Sequence, residues 1–414
     1  MMNSRERVMS SINHREPDRV PIDLGSTPSS GISAIAYNNL KKHMGINTGS
    51  TRVYDVVQQV AQPEDGILQR FGIDVADVGR MFNDKASDWH EVVLSDGSTA
   101  EYPAWFKPVA QKDGGLHAYL ADGTLIGRMP VGATFFDQTV FPYQDGYPQD
   151  YEDLSGAMGK VIWQALAHSP WDHAGEPGFW EKLREKALYL KAHSHRALMI
   201  ICGCNLFEWG TFLRRMDNFL MDIYSEPEEV ERLLDALLQK HQATLEKVCA
   251  AVGDVVDIVR FGDDLGMDSG PFMSPEVYRK LFKPRHKILC SYVKKHSDMK
   301  TFLHSCGSIY RLIPDLIDAG YDILNPVQTT CNEMEPERLK KEFGADVTFW
   351  GGGSDTRHVL NNGSMADVKE DVKRRLDIFA PGGGFIFNPI HNIMPDVPPQ
   401  NIIAMFEAID EFYA

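Results

Sequence analysis

Residues 300–328, KTFLHSCGSIYRLIPDLIDAGYDILNPVQ, carry the pattern that decides the fold. A short apolar run, Thr301–Leu303, ends on His304-Ser305-Cys306-Gly307, an amphipathic stretch of helical period follows at Ile309–Ala319, and a second apolar run spans Asp322–Asn325. Strand, helix, strand in this order is the sequence form of two parallel strands joined by a right-handed crossover.

The same texture recurs on both sides. Further runs rich in β-branched residues stand at Arg19–Leu24, Ile73–Val78, Leu198–Cys202, Asp257–Phe261, Val347–Trp350 and Phe385–Phe387. Amphipathic segments lie at Glu228–Val252, Pro275–His296, Pro336–Phe343 and Met365–Phe379. Eight candidate strands in all predict an α/β fold, a (β/α)8 TIM barrel spanning residues 1–414 as one domain; a doubly wound open sheet is the alternative. Between Trp89 and Tyr147 the period changes to two and is broken by the turn dipeptides Asp96-Gly97 and Asp122-Gly123. That signals hairpins, and predicts a β-meander insertion over residues 85–150 in the N-terminal half, covering the barrel mouth or making a subunit contact. Helical segments are expected after it at Asp150–Ala167 and Trp180–Ala192.

Composition narrows the function. Forty-two basic against 58 acidic residues give a net charge of −16, which argues against a nucleic-acid partner, since phosphate backbones are bound by surplus Lys and Arg. The opening residues lack the apolar core of a secretory signal and no stretch is long enough to span a membrane, so a cytoplasmic location is the expectation. Six scattered cysteines are too few for a disulfide scaffold; Cys202 and Cys204 read as core packing.

Barrel enzymes place their reactive groups just past the strand ends. Those positions hold Asp263 and Asp264, His304 and Cys306, Asn325 and Gln328, Gly351–Gly353 with Asp355, and Asn388 with His391, and Asn205 and Glu208 are further pocket polars. In an extended segment residues i and i+2 face the same side, so His304 and Cys306 would project together. With His391 from a distant strand end they make an open three-ligand site of the catalytic zinc type. Asp263-Asp264 and Glu208 are the candidate acids and bases, with one of the two adjacent aspartates expected in the site because neighbours in a loop point apart. Arg260, just upstream, reads as half of a salt bridge. Asn205, Asn325, Gln328, Gly352 and Asn388 are candidate substrate contacts, and the glycine triplets 351–353 and 382–384 read as tight turns or close approaches.

Three stretches, NSRERVMSSINHREPDRVPIDLG (3–25), FGDDLGMDSGPFMSPEVYRKLFKP (261–284) and FLHSCGSIYRLIPDLIDAGYDILNPVQ with GGGSDT and FNPIHNIMPDVPPQNIIAM (302–405), resemble the uroporphyrinogen decarboxylase superfamily, and within it the corrinoid-linked methyltransferase branch. The resemblance implies a (β/α)8 barrel, a zinc ion held by His-x-Cys and a distant cysteine, and a methyl group exchanged with a corrinoid (cobalamin). His304 and Cys306 match that pattern, while His391 stands where the third ligand would be cysteine. The arginine-rich motif with which the decarboxylases grip porphyrin carboxylates is missing, its place taken by DLGSTPSSGISAIAY (23–37).

The leading expectation is a zinc-dependent methyltransferase acting between a small thiol or methoxylated compound and a corrinoid carried by a partner protein. A homodimer is compatible with it, and no membrane or nucleic acid takes part. A metal-independent lyase on a small carboxylate, using Asp263 or Asp264 with His391, and a barrel that only binds a partner are the other two readings.

Overall fold

In the computed structural model, which describes residues 2–166 and 169–414, the apolar runs form one parallel sheet. Its strands are β1 (Val75–Asp77), β2 (Ala197–Gly203), β3 (Ile258–Gly262), β4 (Lys300–His304), β5 (Ile323–Asn325), β6 (Thr348–Trp350) and β7 (Phe385–Ile386). Each pairs in parallel with its sequence neighbours, in the order β7-β6-β5-β4-β3-β2-β1. Strictly sequential order has no point at which the winding reverses, so the doubly wound alternative is set aside. The sheet is curled and its two edges do not end free. Between them runs the segment 20–24, where Asp23 N–H donates to Phe387 O and Phe387 N–H to Pro21 O on one side, and Asp74 N–H donates to Ile22 O on the other, each at 2.8 Å. Buried Asp74 also accepts from Arg7, Arg19 and the N–H of Ile22.

Side chains of period two fill the space inside the curl. Val75, Met199, Ile258, Phe302, Ile323, Trp350 and Ile386 form one apolar cluster, plugged from below by Val8 and Ile12 of helix α1 (Ser4–Ile12). Helix α1 starts cleanly because Asn3 and Glu6 cap each other's backbone. Two residues further along the same strands, hence on the same face and nearer the strand ends, come Asp77, Arg260, His304, Asn325 and Asn388. The chain has placed an apolar layer below and a polar layer above.

Most crossover segments match their period. The stretch Pro275–His296 differs: it is two helices, Pro275–Leu281 and Lys283–His296. Pro284 lacks an N–H and cannot continue a helix, so the second one starts around it. Of the segment expected at Asp150–Ala167, Leu154–Met158 is α-helical and Ile162–Leu166 is a 3-10 turn, while Ala167 lies outside the described residues. Between β1 and β2, Trp89–Val93 pairs antiparallel with Thr99–Pro103, and four short strands from Val109 to Gln138 form a second antiparallel sheet. Gly97 and Gly123 take positive φ in the turns. Among the described residues no helix is long and apolar enough to cross a membrane.

Candidate metal centre

Strand β4 ends where its chemistry begins. Ser305 N–H donates to Asn325 O at 2.6 Å, Cys306 N–H to Asp264 Oδ1 at 2.8 Å and Gly307 N–H to Gln328 Oε1 at 2.7 Å, so three successive amides fix the turn. Gly307 has φ +85°, and a Cβ there would stand 2.3 Å from the backbone of Gly266. Both demands exclude other residues. A Gly307→Ala protein should therefore lose both zinc binding and about 1–3 kcal/mol of stability, measured by metal analysis and urea unfolding.

The turn brings Cys306 Sγ to 3.4 Å from His304 Nε2. His391, from the loop after β7, joins them: its ring lies 5.8 Å from that of His304, and one ligand atom from each of the three residues lies within 4.8 Å of the others. Tetrahedral zinc with Zn–N and Zn–S bonds of about 2.0 and 2.3 Å separates its ligands by about 3.5 Å, so the donors need little movement to share one ion.

Both imidazoles are set in the ligand form. His304 Nδ1 faces Asn325 Oδ1 at 2.7 Å, and Asn325 Nδ2 donates to Trp350 O at 2.8 Å, which fixes the amide with its oxygen towards the ring. His391 Nδ1 faces Asn392 Oδ1 at 2.8 Å. Each Nδ1 thus carries the proton and each Nε2 lone pair is left for a cation. Burial, helped by the Arg260 guanidinium, pushes His304 down to about 3, and burial lowers His391 too. Burial and the carboxylates of Asp264 and Glu208 push the Cys306 thiol up, so a thiolate here requires a cation beside it. Two neutral nitrogens and one sulfur, with a fourth position open, fit a zinc-type ion. Replacing Asn325 by Ala removes the acceptor that orients His304 and should weaken zinc affinity about 10- to 100-fold, read by competition with a chromophoric chelator.

The two adjacent aspartates part company. Asp263 is fully buried and accepts the N–H groups of Phe207 and Glu208 at 3.0 and 2.9 Å, the first residues of helix α2 (Phe207–Arg214), and His286 Nε2 at 3.1 Å. Its charge sits at a helix N-terminus, where the dipole favours an anion. Its expected place among the mouth acids is corrected accordingly: both carboxylate oxygens are engaged by the helix amides and His286. Asp264 turns the other way, with Oδ1 3.6 Å from His304 Nε2.

Glu208, on the first turn of α2, accepts from Asn205 Nδ2. Burial first, then the nearby carboxylates of Asp264 and Asp263, raise its pKa well above the usual range. Among the expected substrate contacts, Asn325 and Gln328 instead support the ligand-bearing turn. Gly352 packs against Val327, where a Cβ would stand 2.9 Å from that side chain. Asn388 is buried with Oδ1 unpartnered. The glycines 382–384 precede β7 at the opposite end of the strands, and a Cβ on Gly383 would meet Arg15 O at 2.6 Å, so they serve close packing. Asn392 is a site residue that the sequence reading did not name, signalled only by its adjacency to His391, and Arg260, expected in a salt bridge, makes none among the described residues, its Nε being buried without a partner.

Comparison with known proteins places this geometry in a family. The family model described as uroporphyrinogen decarboxylase (URO-D) matches residues 208–412. The methylcobamide:CoM methyltransferase MtaA of Methanosarcina barkeri is 27% identical over 177 residues, 42% of this chain and 47% of that protein. A uroporphyrinogen decarboxylase of Legionella pneumophila (strain Corby) is 28% identical over 211 residues, 50% of this chain and 55% of that one. The chain thus spans about half the length of these curated relatives. A solved methyltransferase from Methanosarcina mazei superposes over 100% of both chains with a TM-score of 0.60 at 17% identity, which shows a shared fold. Residues 208–412 thus match the uroporphyrinogen decarboxylase (URO-D) family model, and the whole chain shares the fold of the Methanosarcina mazei methyltransferase.

Proposed function

We propose that this protein is a zinc-dependent methyltransferase that moves a methyl group between a small methoxylated compound or thiol and a cobalt corrinoid carried by a partner protein. The observation that carries the reading is the meeting of His304, Cys306 and His391. The methylcobamide methyltransferase among its relatives supports the corrinoid. Zinc, when bound, would supply Lewis acidity to a substrate oxygen or sulfur.

The chain's own residues divide the remaining work. Asn325 and Asn392 hold the two imidazoles, and Asp264 fixes the backbone of Cys306. Glu208, whose pKa is raised by burial and the nearby carboxylates, would act as the general acid that hands a proton to the oxygen released when a methyl ether is cleaved. One sulfur and two imidazoles leave an ion harder than two sulfurs would, which favours the ether oxygen over the thiol. We further read segment 20–24 as the eighth strand of a closed (β/α)8 barrel and residues 85–150 as a subdomain inserted beside its mouth. The metal-independent lyase gains nothing from the site, since Asp263 is committed to a helix and the arginine pair is missing.

X-ray absorption on purified protein tests the reading, with one zinc per chain bound by one sulfur and two nitrogens as the expected result. Protein without zinc whose activity survives His304→Ala would sink it.

A further inference from the structure

Arg260 is the second inward position on β3, in the polar layer above Ile258 and below Gly262, the residue that pairs across with His304. Among the described residues it makes no ion pair and no hydrogen bond, and its Nε is sealed from solvent without a partner. Arg260 is half-buried, and the fully buried guanidiniums are treated differently. Arg7 is held by Asp74 and Asp18, Arg285 by Asp235 and Arg375 by Asp371. Leaving a buried cation unpaired is costly, and folds do not retain one without a counter-charge.

Its surroundings show where that charge belongs. Arg260 is close enough to act electrostatically on His304 and His391, and Glu208, Asp264 and Tyr54 act on it in turn, yet neither of these carboxylates comes within ion-pair distance. Position 262 is glycine, which lets Asn205 and the guanidinium lie close to the strand: a Cβ there would stand 2.8 Å from Asn205 Nδ2 and 3.6 Å from Arg260 Nη1. A guanidinium presents a planar fork of donors that matches a carboxylate in two parallel hydrogen bonds, where a lysine would offer only a point charge.

We infer that Arg260 is the anchor for an anionic head group of carboxylate type on the small-molecule substrate, so that the compound bound at this mouth is a methoxylated acid rather than a neutral ether or alcohol. The inference rests on the methyl-transfer reading for the methoxyl group alone; the anion site stands on the orphaned guanidinium.

Calorimetric binding to zinc-loaded protein tests it without any corrinoid, using methoxyacetate and 4-methoxybenzoate against their uncharged amides, methoxyacetamide and 4-methoxybenzamide. The two acids distinguish an aliphatic from an aromatic body. At least one acid is expected to bind about 10- to 100-fold tighter than its amide, as charge-assisted hydrogen bonds allow. Arg260→Gln should erase that preference while zinc content and melting temperature hold, and Arg260→Lys should restore it only in part. Acids that bind no better than amides, or a preference that survives Arg260→Gln, would overturn the inference and leave Asp264 or Glu208 as an internal counter-ion. A preserved acid preference with no methyl transfer to a corrinoid would instead overturn the function proposed above and leave the anion site standing.

Discussion

A Cys306→Ser protein is expected to be purified without zinc and without methyl-transfer activity, yet folded. The sulfur lies 3.4 Å from His304 Nε2 and is the one anionic donor among the three, so its loss removes both a bond and the charge that balances the ion. Disturbing residues that merely orient ligands costs about 10- to 100-fold in affinity, and removal of the thiolate should exceed that. The backbone of residue 306 is held by Asp264 through its N–H, a bond serine keeps, so melting in the presence of chelator should match the wild type. His391→Cys is the informative partner variant. It should retain zinc, now with two sulfurs by X-ray absorption, and shift preference from ethers towards thiols. Full zinc occupancy in Cys306→Ser would show that the three side chains do not share an ion.

The second large effect separates neighbours in the chain. Asp263→Ala leaves the N–H groups of Phe207 and Glu208 and the Nε2–H of His286 without their acceptor in a fully buried place, and should destabilise the fold by about 3–5 kcal/mol. Asp264→Asn keeps an oxygen for the N–H of Cys306 and should change stability by less than about 1 kcal/mol, while loss of the charge 3.6 Å from His304 Nε2 lowers turnover. Urea unfolding and steady-state rates on the same two preparations decide the matter. If the two variants exchange behaviours, the assignment of the acids is reversed.

Much of the architecture was legible because parallel strands buried on both sides are apolar runs, and a run such as Leu198–Cys202 can be little else. The split of Pro275–His296 was signalled by Pro284, which the strong helical period on either side outweighed. His304 and Cys306 could be paired from two-residue periodicity alone. The division between Asp263 and Asp264 could not, because side-chain direction in a loop depends on what waits there, and the waiting group, the N-terminus of α2, lies more than fifty residues upstream. The isolation of Arg260 was hidden for the same reason: a sequence shows a charge but not the lack of a neighbour. Asn325 was expected at the substrate and found behind His304, since an amide serves either purpose equally well.

The segment 20–24, lodged between residues 74 and 387, has a bearing on how the molecule is made. During synthesis segment 20–24 and the first six strands of the sheet can associate as they emerge, but segment 20–24 and β6 would each present an open edge to any other chain until β7 arrives. Open edges of this kind invite unwanted pairing. The last step of folding is therefore a long-range zipping of early chain onto late chain, slow by its sequence separation, and a ribosome stalled before residue 385 would hold a sheet with nothing to seal it.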